Sequence, residues 1–191
     1  MTTVSIDHQA LAHYFAQSVG GLPSVDQYWD KAKKSSVDIV SLPDRPGAGV
    51  TTYSTIGVSD HSIDLMSDGL SLRAELMLTL RTADAAAPNI LATCAMDVIN
   101  DRVRIRPGSI LYKAVALYRE GLAMEHILVV SPFVWLLEAQ TFNDRKVGWL
   151  ACVPISEAER LHAVEHGAEA LEALLEEKGA DAFNLERPSV L

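Results

Sequence analysis

Residues 162–166, His-Ala-Val-Glu-His, have the most direct chemical reading in this chain. Histidines at i and i+4 of a helix share a face and can hold zinc, with Glu165 as general base of a metal-dependent hydrolase. The spacing is the H-x-x-E-H of inverted zinc proteases. A catalytic zinc needs a third protein ligand, however, and only 25 residues follow. Gly167 also adjoins the motif where the helix must stay rigid, so the sequence favours solvated His162 and His166 side chains, with a hydrolase as the alternative. A second constellation, Asp60-His61 with Ser54 or Ser59, offers half of an acid/base pair and a nucleophile. No G-x-S-x-G elbow accompanies it, and a polar cluster ending a strand is the simpler identity. Gly47-Ala48-Gly49 lacks the lysine of a phosphate loop and reads as a turn. Cys94 and Cys152 lie in apolar runs without C-x-x-C spacing, which predicts buried reduced thiols, no metal and no cofactor.

The element that must position the Asp60-His61 group is the stretch 51–61, TTYSTIGVSDH. Strand alternation puts Val50, Ile56 and Val58 on one face and Thr51, Tyr53 and Thr55 on the other, so Tyr53 is expected to point away from the aliphatic side. Gly57 permits a bend before Ser59, Asp60 and His61. A phenol, hydroxyls, a carboxylate and an imidazole at one strand end describe a recognition edge. Its expected contacts are Tyr53, Thr55, Ser59, Asp60 and His61. Trp135 is a second candidate anchor, although a tyrosine or tryptophan suits a core as well as an interface.

Around this stretch, Leu11, Phe15 and Val19 predict an amphipathic helix over 5–19, stopped by Gly20-Gly21. Residues 23–34 read as a loop or short helix with Tyr28 and Trp29 packed back on the core. A strand follows in SVDIVSL, then a turn in PDRPGAG. From Leu70 to Leu80 even-numbered residues are apolar, against Ser71, Arg73, Glu75, Met77 and Thr79, which predicts a half-buried strand with Glu75 facing away from the core. NILATCAMDVIND is a helix with Pro88 in its first turn. Tyr112 to Tyr118 is expected to be extended, and HILVV and VGWLACV are central strands. Phe133 and Trp135 follow the first of these. Ser156-Glu157-Ala158-Glu159 is a capping box opening a last helical region, with Leu161, Val164, Leu171, Leu174 and Leu175 as its apolar face and Gly167 bending or dividing it.

At 191 residues, 49% hydrophobic and 21% charged, one domain over 1–191 is expected. The net charge of −9 repels nucleic acid and anionic membranes and attracts a basic protein. Residues 156–178 carry seven glutamates against Arg160 and Lys178, which places −5 of that charge on one helical region. The amino terminus lacks the basic start of a signal peptide, and no apolar run approaches the ~20 residues of a membrane span, so a cytoplasmic protein is expected.

Several separated pieces resemble, in order, the bacterial suppressor of fused family: TYSTIGVSDH (52–61), RAELMLTL (73–80), MEHILVVSPF (124–133), WLACVPISEAE, HGAEALEALLEE and NLERPSV. They span roughly residues 25 to 190. The resemblance implies an α+β fold, a mixed and largely antiparallel sheet flanked by helices, and a binding role without known catalysis. Animal relatives carry a second domain and grip an extended peptide between the two. Tyr53 and the Ser59-Asp60 neighbourhood fall on the stretch associated with that peptide site. Bacterial relatives are regarded as immunity proteins that neutralise toxins. The leading expectation is therefore a protein-binding immunity module whose partner is a basic toxin or an extended peptide. A self-associating structural domain is a further alternative.

Overall fold

In the computed structural model, which describes residues 5–82 and 84–191, the four-residue recurrence of Leu11, Phe15 and Val19 forms helix α1 (Ile6–Val19). Ser5 caps it by accepting from the His8 N–H, and Gly20 ends it with a positive φ of 79°. Nine strands are described: β1 (Ser24–Trp29), β2 (Ser36–Pro43), β3 (Val50–Ile56), β4 (Leu65–Ser67), β5 (Leu70–Arg81), β6 (Ile110–Leu111), β7 (Met124–Val130), β8 (Gln140–Thr141) and β9 (Arg145–Ser156). The other helices are α2 (Ala87–Ile99), α3 (Glu157–His166) and α4 (Ala168–Glu177). The strands form one sheet of order β1-β2-β3-β5-β9-β7-β6, with β4 also on β5 and β8 on β9. Only β5 and β9 run parallel among these pairs, a crossover that passes through α2. The α+β class, mixed and largely antiparallel, is as expected.

Two apolar clusters lie on opposite faces of this sheet. On one face Leu76, Leu78 and Leu80 of β5 meet Ile90, Leu91, Cys94 and Val98 of α2. On the other, Met77 of β5 and Trp149 of β9 meet Leu11 and Phe15 of α1, and Ala163 and Leu171 tether α3 and α4. Cys94 and Cys152 are free and buried in the first cluster. Helices on both faces explain most departures from the sequence reading.

β5 is not half-buried; from Ala74 to Leu80 it is covered on both sides, and Glu75 is fully buried. Tyr53 likewise points into the α2 cluster opposite Leu78 and is 7% exposed, because the face it shares with Thr51 and Thr55 is covered rather than open. Residues 24–29 are an edge strand instead of a loop or short helix. An edge strand needs one neighbour only, so its exposure lacks the alternation that would betray it. Tyr28 leans on the core, whereas Trp29 is 53% exposed. Residues 112–118 are a chain of turns instead of an extended segment. Gly167, with φ of 94°, divides the last helical region into α3 and α4. Leu161 and Val164 are exposed instead of facing the core, because α3 is rotated to bring Glu159 and Ala163 inward.

Candidate functional site

The loop after β3 is built around a buried carboxylate. Glu75 accepts from the Thr55 hydroxyl at 2.6 Å and from the backbone N–H groups of Gly57 (2.9 Å), Val58 (3.2 Å) and Ser59 (3.1 Å). Three successive amides can converge on it because Gly57 takes a left-handed φ of 118° and opens a single 3-10 turn, Val58–Asp60. Thr55 also accepts from the Leu76 N–H at 2.8 Å, tying β3 to β5 beyond their ladder. Burial pushes the Glu75 carboxyl above its ordinary value, against the pull of the Thr55, Ser59 and Gly57 donors. In this arrangement the T-x-G-x-S part of the motif is a clasp. Thr55 and Ser59, fully buried, and Tyr53 hold the loop from within and present no surface of their own.

What the clasp presents is Asp60. Its carboxylate meets His8 Nε2 at 3.0 Å, and Arg145 lies 3.9 Å from its other oxygen. Arg145 also donates to Asp7 at 2.7 Å, so the first turn of α1 is pinned to the loop and to the start of β9. The hydrogen bond with His8 pulls Asp60 below its ordinary value and raises His8. His61 is half-buried beside them and shares no hydrogen bond with Ser54 or Ser59. Ser54, fully buried, donates to the Thr55 carbonyl and accepts from Trp149 Nε1. The acid/base and nucleophile constellation of the sequence is therefore not assembled. Trp135, half-buried on the α1 face, donates to Thr52 Oγ1 at 3.4 Å.

At the other end of the sheet a second carboxylate is fully buried. Glu159 closes the capping box through Ser156, and Arg187 clamps it with bonds of 2.7 and 2.8 Å while also donating to the Pro154 carbonyl. Burial raises Glu159, but Arg187 and the backbone of Ser156 and Val190 outweigh it and pull the group below its ordinary value. Nearby, buried His126 accepts at Nδ1 from the Lys113 N–H (2.9 Å) and faces Glu157 through Nε2 at 2.8 Å. That pattern assigns the proton to Nε2 of a neutral ring, in keeping with burial lowering its pKa. Arg160 donates twice to Glu157 and holds it at about 2. The His162 and His166 rings lie 4.5 Å apart, tilted 57° to each other, beside exposed Glu165. Among the described residues no three His, Cys, Asp or Glu side chains gather where they could hold a metal ion.

The titratable groups gathered at these two sites are thus engaged with one another, and the surface around α4 is apolar and acidic. Phe133 is 59% exposed and lines a groove with Glu172 and Glu176 of α4, and Leu136, three residues on, is fully exposed. Leu136 and the α4 surface escaped the residue-by-residue reading, since leucines three and four apart signal a buried helix face as readily as an open one. No described helix is long and apolar enough to cross a membrane.

Comparison with known proteins places this chain in a family. A model for "Suppressor of fused protein (SUFU)" matches residues 33–188. The chain is 40% identical over 190 residues to "Immunity protein YqcF" of Bacillus subtilis (strain 168), covering 98% of this chain and 99% of that protein. Among solved structures, a SUFU homologue from Neisseria gonorrhoeae superposes with a TM-score of 0.67 at 16% identity, over 97% of this chain and 94% of that one. A chain of the Sufu-Fu complex superposes with a TM-score of 0.68 at 15% identity, over 95% and 91%.

Proposed function

This chain belongs to the suppressor of fused family, and from that premise we propose that it is a non-catalytic immunity protein of the cytoplasm, a single binding domain that neutralises a basic toxin protein. The observation that carries the reading is the match to an immunity protein, 40% identical over 190 residues. The Sufu-Fu complex adds that a chain of this fold binds another protein. The surface agrees, since exposed Glu165 of α3 and the glutamates of α4 attract a basic partner and accelerate encounter. In this reading Asp60, His61 and half-buried Trp135 are surface contacts, while Tyr53, Thr55 and Ser59 act indirectly by shaping the loop that presents Asp60.

Co-expression with a toxic protein captured on this chain from its native cell tests the proposal. Growth is expected to be restored, and the purified proteins are expected to form a stoichiometric complex whose association slows as salt rises. A toxin that kills equally with and without this chain, and that elutes apart from it, overturns the reading.

A further inference from the structure

α4 stands off the sheet. Of its residues Leu171 alone is fully buried, and between the helix and the ends of β7 and β9 lies a groove of about 540 Å³. Leu128, Val130 and Val153 form its sheet wall, Leu175 and Ala173 its helical wall, and exposed Phe133 its mouth. Glu172 and Glu176 are the acidic members of this lining, and Arg187 is the single cation in it. Because the Arg187 guanidinium is held by Glu159, the two glutamates set the groove's charge. Partial burial, aided by the charge of Glu169, already raises Glu172, a penalty that an incoming cation would relieve. Apolar walls of this volume with two carboxylates at the edge suit a side chain with a greasy body and a charged neighbour.

We propose that this groove is the anchor site for the partner: it receives an apolar side chain of the toxin, with a flanking lysine or arginine on Glu172 and Glu176. The proposal rests on the immunity reading for the identity of the partner. A protein segment fits better than a small ligand, because exposed Phe133 at the mouth is followed, three residues along the same connection, by fully exposed Leu136. The site is separate from the Asp60 loop, and it gives the acidic helix a role in holding the partner as well as in steering it.

Nuclear magnetic resonance titration of the intact chain with three synthetic hexapeptides tests the chemistry. The probes are acetyl-Gly-Lys-Phe-Leu-Lys-Gly-amide, its counterpart with both lysines replaced by glutamate, and one with Ser-Ser in place of Phe-Leu. The basic apolar peptide is expected to shift resonances of Val130, Val153 and Leu175, and to bind about tenfold tighter than the acidic one, a difference of ~1.4 kcal/mol. Ala173→Trp, at an exposed helical position, fills the groove and should abolish binding without lowering the melting temperature. Glu172→Lys with Glu176→Lys should reverse the preference. Equal binding of the acidic peptide, unchanged binding to Ala173→Trp, or groove shifts that depend only on the concentration of the chain itself would each overturn the proposal, the last in favour of a second copy. Co-expression separates the two readings. Toxin protection by wild type and Ala173→Trp alike removes the groove and leaves immunity standing, whereas absence of protection by wild type removes immunity whatever the peptides do.

Discussion

Glu75 and Glu159 are both fully buried, yet they are shifted in opposite directions. Glu75 sits among neutral donors, three backbone amides and a threonine hydroxyl, which satisfy its lone pairs without offsetting the cost of removing a charge from water. Glu159 has amides too, but also the Arg187 guanidinium. Burial alone therefore does not decide how a carboxylate titrates; the countercharge does. The two sites also do different mechanical work. The neutral cradle shapes one short loop after β3, whereas the ion pair fastens the chain's last residues to the start of α3 and to Pro154 of β9.

Removing Arg187 should be the most damaging change, because it strands a buried charge and frees the terminal segment. Arg187→Ala is expected to cost about 3 to 5 kcal/mol in denaturant melts, with much of this recovered when Glu159→Leu is added. If the double variant is no better than the single one, the guanidinium acts chiefly through its backbone contacts.

Glu75→Ala comes next, at about 2 to 4 kcal/mol, since it leaves three amides and a hydroxyl without their acceptor. That is comparable with Leu76→Ala, expected at about 2 to 5 kcal/mol. A negligible loss for Glu75→Ala would mean that water replaces the carboxylate and that the clasp is dispensable.

The opposite shifts give a sharper test by acidification. Glu159 is depressed in the folded state, so its contribution is present above the ordinary carboxylate value and is lost as pH falls through the folded value. Glu75 is raised, so its contribution is present below the ordinary value and is lost as pH rises through the folded value. As pH falls towards the ordinary carboxylate value the stability gap between wild type and Glu75→Gln should widen, and as it falls further, below that value, the gap for Glu159→Gln should narrow. Gaps that move together would show that both glutamates answer to burial alone.

The smallest effect is expected at the Asp60 loop. Its pair with His8 is half-exposed, and His8→Ala should cost about 1 kcal/mol or less. The His8 value is raised, so this contribution is present below its ordinary value and disappears as pH rises through the folded one. Loss of the His8→Ala difference at alkaline pH checks the assignment.

Much of the architecture was legible in the amino-acid sequence. α1, α2, the capping box at Ser156, the division at Gly167 and the strands β2, β3, β5, β7 and β9 all announced themselves through local spacing, capping residues and β-rich runs. Periodicity is a property of neighbouring residues, so it survives without the rest of the chain. The joint order of the separated motif pieces likewise identified the family. What covers each face was not legible. Tyr53 and Glu75 looked like the outward sides of alternating strands, and Leu161 and Val164 like the inward side of a helix. Alternation reports that two faces differ in chemistry, but solvent is assigned only when helices distant in sequence pack on both sides of the sheet. The pairings that define the site depend on such distant contacts: Glu75 lies 16 to 20 residues from its donors, and Glu159 28 from Arg187. Composition and local order determined most of the elements and the acidic character of this protein, but not the edge strand β1 or the turns over 112–118. Tertiary packing decided which carboxylates are locked inside and which line an open groove, because only the folded chain brings a counterion, an amide cradle or nothing at all to each one.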